Sequence, residues 1–172
     1  TWGSFQGQEH LGFAPLFGHQ YSHVWIDFRG IQDGYMRSRG IDYFTNSQRA
    51  TLAQREYAIH DPLQWKDYGK DIWGLTASNG PRANVKPGEL DRYANDPKTF
   101  YGYVARGAGL LGTVDDGTIA PTAAASSIAF DPEIAMPAIR EMRSRYGGIL
   151  YTAFGFVDAV NPSFTFTDRP LR

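Results

Sequence analysis

Apolar positions return with helical spacing along several stretches of this chain, and glycine, proline and small polar residues break the pattern between them. Thr1 to Phe13 shows no period and reads as an irregular lead-in. Pro15 suits a first helical turn, so a helix is expected from there to about Phe28, stopping near Gly30. Gly30 to Phe44 reads as a loop with one helical turn around Tyr35. Thr45 or Asn46 is expected to cap a helix from Ser47 to about His60, which Asp61-Pro62 ends. A short helix is expected within Leu63 to Leu75, then a turn over Thr76 to Pro81, where Asn79-Gly80-Pro81 is turn chemistry. Gly80 to Asp116 has little period, although Tyr93, Phe100, Tyr101 and Tyr103 argue for order because rings seek burial. A tightly packed helix is expected from Pro121. Asp131-Pro132-Glu133 looks like the start of another, kinked at Pro137 or beginning near it, and ending by Gly147-Gly148. Ile149 to Val160 is an apolar strip, helical or extended, ended by Asn161-Pro162. The sum is a mainly α chain of about five helices with long ordered loops and no convincing strand pair.

Composition narrows the class. At 172 residues with 42% hydrophobic content, the chain reads as a single region, 1–172, of one folded domain or part of a larger one. Aromatics reach 15% and glycines number 19, which suits structured loops and argues against disorder. The net charge of −1 comes without a basic patch, so nucleic acid is not an expected partner. Cysteine is absent, which excludes disulfides and thiolate chemistry. No apolar run approaches the ~20 residues of a membrane span. The chain begins without an initiator Met or a signal peptide, and so reads as starting at a processed end or inside a longer protein.

Candidate chemistry concentrates in Pro15 to Gly30. On a continuous helix His19 and His23 lie one turn apart and Asp27 follows one turn later, two imidazoles and a carboxylate on one apolar side. Such groups either line a wet cavity or bond into the core, because burial without partners is costly. Asp27 is the candidate catalytic carboxylate, able to hold a sugar hydroxyl or orient a water; the alternative is an ion pair with Arg29 at the helix end. A zinc site of His19, His23 and Asp27 is a weaker reading, since Gln20 stands where a metalloprotease motif has Glu. Trp73 and Asn79 form a second candidate, an indole plane beside a turn, set against Trp73 in the core and Asn79 serving its turn. Asp116 is a further cleft candidate, or a residue bonding nearby amides. Asp158 reads as a buried, paired carboxylate, and Tyr101 and Tyr103 as loop packing.

Four segments resemble the glucoamylase-like family of bacterial glycoside hydrolases, which includes endo-β-1,2-glucanases and a domain of cyclic β-1,2-glucan synthases. They are FAPLFGHQYSHVWIDFRGI, WGLTASNGP, DGTIAPTAAASSIAF and YGGILYTAFGFVDAVNP, in the family's order. The resemblance implies part, roughly the C-terminal half, of an (α/α)6 barrel with a cleft at one end. It implies action on β-linked glucan, plausibly β-1,2-glucan, with no cofactor, in the periplasm or outside the cell. Asp27 would be catalytic, and His19, His23, Arg29, Trp73, Asn79 and Asp116 would bind substrate. Twelve helices of average length need more than 172 residues. The main general acid is therefore expected on the remainder of the barrel, a missing or separate segment. One position departs from the pattern: members carry Asp in the TASDGP turn, whereas this chain has Asn79, which cannot ionise. The alternatives are a glycan-binding module that does not cut and a helical metal-binding protein. Glycoside hydrolysis usually needs two carboxyl groups, and Asp27, Asp116 and Asp158 are the candidates.

Overall fold

A computed structural model of the chain describes residues 1–84, 100–166 and 169–170. Tyr93 and part of the long Gly80–Asp116 segment lie outside the described residues. Five α-helices lie among those described: α1 (Phe17–Gln20), α2 (Gly34–Ser38), α3 (Tyr43–His60), α4 (Pro121–Ser126) and α5 (Pro132–Leu150). The mainly α expectation holds.

The expectation of no strand pair does not. β1 (Trp2–Phe5) and β2 (Gln8–Leu11) form an antiparallel hairpin with Trp2 opposite Leu11. Its two-residue turn places both Gln6 and Gly7 at positive φ, the conformation that matches strand twist. Four more short antiparallel ribbons follow: β3 (Ala77–Ser78) with β4 (Val104–Ala105), and β5 (Gly107–Gly109) with β6 (Gly112–Val114). The others are β7 (Tyr151–Thr152) with β8 (Gly155–Phe156), and β9 (Thr165–Phe166) with β10 (Arg169–Pro170).

Helix boundaries follow local chemistry. α3 begins at Tyr43, four residues before its expected start, because Asp42 accepts the Thr45 amide at 2.7 Å and caps the helix there. α5 continues through Pro137, which takes one bond from the helix ladder without ending the helix, and reaches Leu150 beyond Gly147 and Gly148. No helix forms over Leu63 to Leu75, since Gln64 and Asp67 adopt left-handed φ.

The core is the contact zone of α3, α4 and α5. Ala50, Ala58, Ala123, Ala124 and Ala138 pack around Leu16, Trp73, Ile119, Met142 and Leu150. Small side chains on facing helices leave room for one large indole between them. Gly74 makes the close approach possible: its φ is +133°, and a Cβ there would stand 2.9 Å from the Ala120 carbonyl. Gln54 of α3 satisfies the buried backbone of Leu75 twice, accepting its amide at 2.6 Å and donating to its carbonyl at 3.0 Å. Among the described residues no helix is long and apolar enough to cross a membrane.

Candidate functional site

The segment from Phe17 to Gly30 changes character within one turn. α1 ends at Gln20, and Tyr21–Val24 continues as a 3-10 helix, closed by bonds from Trp25 and Ile26 amides to the Ser22 carbonyl. A 3-10 turn holds about three residues, so positions four apart no longer share a side. His19, His23 and Asp27 therefore do not line one helical face, contrary to the expected spacing.

His19, expected either to face a wet cavity or to bond into the core, is buried. The hydrogen bonds assign every atom around it. Asn46 Oδ1 accepts the Leu11 amide at 2.7 Å, so the Asn46 amino group faces His19 Nδ1 at 3.4 Å. His19 Nε2 then carries the hydrogen and donates to the Phe13 carbonyl at 3.1 Å. Burial lowers its pKa to about 4, against the opposing pull of that carbonyl, and the imidazole is neutral at pH 7. His23 is half-buried, its ring 4.6 Å from Phe28 and edge-on to Phe130 at 4.7 Å, with Nε2 3.0 Å from Ser47 Oγ of α3. Burial lowers its pKa too, while Asp27 pulls the other way. His23 thus anchors the next loop to α3.

That loop projects Trp25, which is 86% exposed, together with Val24, Ile26, Asp27 and Arg29. Asp27 and Arg29 form a bidentate pair, Nε to Oδ1 at 2.8 Å and Nη2 to Oδ2 at 2.7 Å, and the Arg29 amide also donates to Oδ1. Residues two apart meet here because the helix has already ended. The Arg29 hydrogen bonds hold the Asp27 carboxyl down to about 2, so it is ionised at neutral pH. The Gly30 amide closes the loop by donating to Asp42 Oδ2 at 2.7 Å.

Two other expected ligands are internal. Trp73 is fully buried among Ala123, Ala124 and their neighbours, so it is core and not an exposed plane. Asp116 is likewise fully buried and pairs with buried Arg106, Nε to Oδ1 and Nη2 to Oδ2, each at 2.7 Å. It also accepts the Tyr101 and Thr118 amides. Burial alone would raise its pKa, but the Arg106 bonds prevail and lower it. Its described partners are all within the protein. A Cβ at Gly80 would run into the Arg106 guanidinium, so the Asn79-Gly80 turn and this pair are mutually fitted.

Asp115 beside it differs. Burial raises its pKa, opposed by the Gly117 amide and by the hydroxyls of Tyr68 (2.7 Å) and Tyr57 (2.9 Å), which donate to its two oxygens. Nothing but the Asp115-Asp116 doublet marks this knot in the sequence, because its tyrosines come from positions 57 and 68. Asn79 lies exposed, its amide donating to Asp158 Oδ2 at 2.7 Å. Asp158 is itself exposed and not buried as expected, and Tyr103 is exposed too. Among the described residues no group of three His, Asp or Glu could hold a metal ion, which removes geometric support from the zinc reading.

Two exposed groups result: Trp25 with the ionised Asp27–Arg29 pair on one loop, and Asn79 with Asp158 on another. Known proteins share this chain's sequence and fold. The family model described as "Putative glucoamylase" matches residues 1–170. An exo beta-1,2-glucooligosaccharide sophorohydrolase (non-reducing end) of Parabacteroides distasonis is 30% identical over 148 residues, 86% of this chain and 17% of that protein. A crystal structure of a putative glucoamylase from Bacteroides caccae superposes with TM-score 0.74 at 30% identity, over 95% of this chain and 35% of that one. An endo-beta-1,2-glucanase from Chitinophaga pinensis, in complex with sophorotriose and glucose, gives TM-score 0.73 at 28% identity, over 95% and 35%. The chain thus spans less than a fifth of the curated relative and about a third of each of these structures.

Proposed function

Because the chain belongs to the glucoamylase-like family that matches residues 1–170, we propose that it forms part of a glycoside hydrolase acting on β-1,2-linked glucan. The names of the sophorohydrolase and the endo-glucanase support that substrate. In this reading the chain supplies roughly the C-terminal half of an (α/α)6 barrel, and the Trp25–Arg29 loop borders the sugar cleft.

One observation carries the assignment: the Asp27–Arg29 pair stands exposed beside Trp25 on a loop anchored at both ends to α3 and its cap. Sugars offer apolar C–H faces and hydroxyls, and an indole with adjacent charged acceptors and donors complements both. A carboxyl held near pKa 2 is a poor proton donor. Asp27 therefore serves as an anion, accepting a hydroxyl hydrogen or orienting water, and the proton for the leaving oxygen comes from a different carboxyl group.

Hydrolysis of β-1,2-glucan by the protein at the length of its relatives tests this. Asp27→Ala is expected to lower the rate at least tenfold with the unfolding midpoint unchanged. An unaltered rate would remove Asp27 from the site. The 172-residue chain alone is expected to bind oligosaccharide without releasing reducing sugar. Asn79 favours a second reading, binding without cutting, since its amide can bond a hydroxyl but cannot ionise. Absence of hydrolysis at full length, with binding retained, would select it.

A further inference from the structure

The helical segment from Phe17 to Val24 is amphipathic in the inverted sense: its amide and imidazoles face the protein, while its apolar side chains face solvent. On the inner side Gln20 is buried and donates to the Ala123 carbonyl at 2.8 Å and to Ser127 Oγ at 3.0 Å. His19 is bonded between Phe13 and Asn46, and His23 reaches Ser47. On the outer side Tyr21 is 66% exposed and Val24 73%, with Phe17 half-buried. The change of helix type keeps these three in one row. Phe17 and Tyr21 are four apart where the segment is α, and Tyr21 and Val24 are three apart where it is 3-10.

Phe13 extends the row. Its ring stands 5.4 Å from that of Phe17, which stands 5.2 Å from that of Tyr21. A Cβ at Gly18 would run into the Phe13 ring, so this ring lies on bare backbone, and the Phe13 carbonyl is held by His19 Nε2. The row is therefore fixed, and it leaves apolar surface in water, Phe13 included. A fixed apolar face of this kind marks a binding surface. Its shape says what fills it. A pyranose stacks on a flat ring face, but Phe13 meets Phe17 edge-on, at 77°, so the row offers edges and the notches between them. Apolar side chains of another polypeptide segment fill such notches, as at the aromatic-rich centre of a protein interface. The relatives have polypeptide to supply them: the matched region is only 35% of both the Bacteroides caccae and the Chitinophaga pinensis chains.

We infer that the row Phe13, Phe17, Tyr21 and Val24 is the seam against which the remaining part of the barrel packs, through apolar side chains, alongside the Trp25–Arg29 loop. It rests on the reading of this chain as part of an (α/α)6 barrel given above.

Thiol labelling of the protein at the length of its relatives, without oligosaccharide, tests it, because these 172 residues contain no cysteine of their own. Val24→Cys is expected to react with a maleimide at least tenfold more slowly in the native protein than in urea, counted over any thiols of the parent. Tyr21→Cys, in the middle of the row, is expected to behave alike. Labelling as fast as in urea, in variants that keep the parent's circular dichroism, would show the face open and overturn the seam. Protection that is lost on dilution would assign the face to a second copy and overturn it too. Rapid labelling with hydrolysis of β-1,2-glucan retained would defeat the seam and leave the glucan reading standing. Protection without hydrolysis would support the seam and defeat the glucan reading.

Discussion

Asp42 holds Gly30 and the start of α3 with one carboxylate: Oδ2 accepts the Gly30 amide at 2.7 Å while Oδ1 accepts the Thr45 amide at 2.7 Å. Burial works to raise its pKa, and these amides lower it instead. The end of the Trp25–Arg29 loop is thereby fixed to a helix terminus. Removing a cap of this kind costs about 1–2 kcal/mol. Asp42→Ala is expected to lower stability by that amount in urea unfolding and to weaken glucan binding. Asp42→Asn, which keeps an acceptor for the cap, is expected to recover most of the stability.

Arg106 and Asp116 form a fully buried ion pair, and the guanidinium also donates to the Ser78 and Gly102 carbonyls. Lysine cannot reproduce that fork. Removing one partner of a buried pair leaves an uncompensated charge and costs about 3–5 kcal/mol. Arg106→Lys and Asp116→Asn are each expected to lose several kcal/mol in denaturant unfolding, and Gly80→Ala to destabilise by displacing the guanidinium.

These contacts show where sequence reading succeeds and where it stops. Local chemistry is legible: Asp131-Pro132 does open α5, and Asp27 does pair with Arg29 at the end of a helical segment. The buried face of α3 is not, because Asn46, Thr51 and Gln54 sit on it, where Asn46 and Gln54 bond the backbones of Leu11 and Leu75. Polar residues spent on distant loops erase the apolar face that marks a helix. The β1–β2 hairpin escapes notice because its turn uses Gln6-Gly7 where Asn-Gly would announce it. Whether Trp73 is plane or core, and whether Asp116 meets solvent or Arg106, depends on partners from elsewhere in the chain.

The buried imidazole of His19 makes stability depend on pH. Its pKa is about 4 in the fold against an ordinary 6.5 in the unfolded chain. Between these values the unfolded state binds the extra proton, so stability falls as pH falls from 6.5 to 4, by roughly 3 kcal/mol in all. Above 6.5 the contribution is complete. Asp115, raised by burial, acts in the opposite sense, its fold losing stability as pH rises above the ordinary carboxylate value. Comparing wild type with His19→Gln in urea unfolding across pH 4 to 7 isolates the histidine. The variant is expected to show a flatter acid limb.

The sugar-facing role of the Trp25–Arg29 loop is tested most directly by tryptophan fluorescence during titration with β-1,2-gluco-oligosaccharides. Trp25 is the most exposed of the four indoles, and Trp65 and Trp73 are buried. Saturable change in emission is expected for the parent chain, lost in Trp25→Phe and weakened at least tenfold in Asp27→Ala. An identical response from Trp25→Phe, or the same affinity in Asp27→Ala, would place the glucan elsewhere and contradict the assignment.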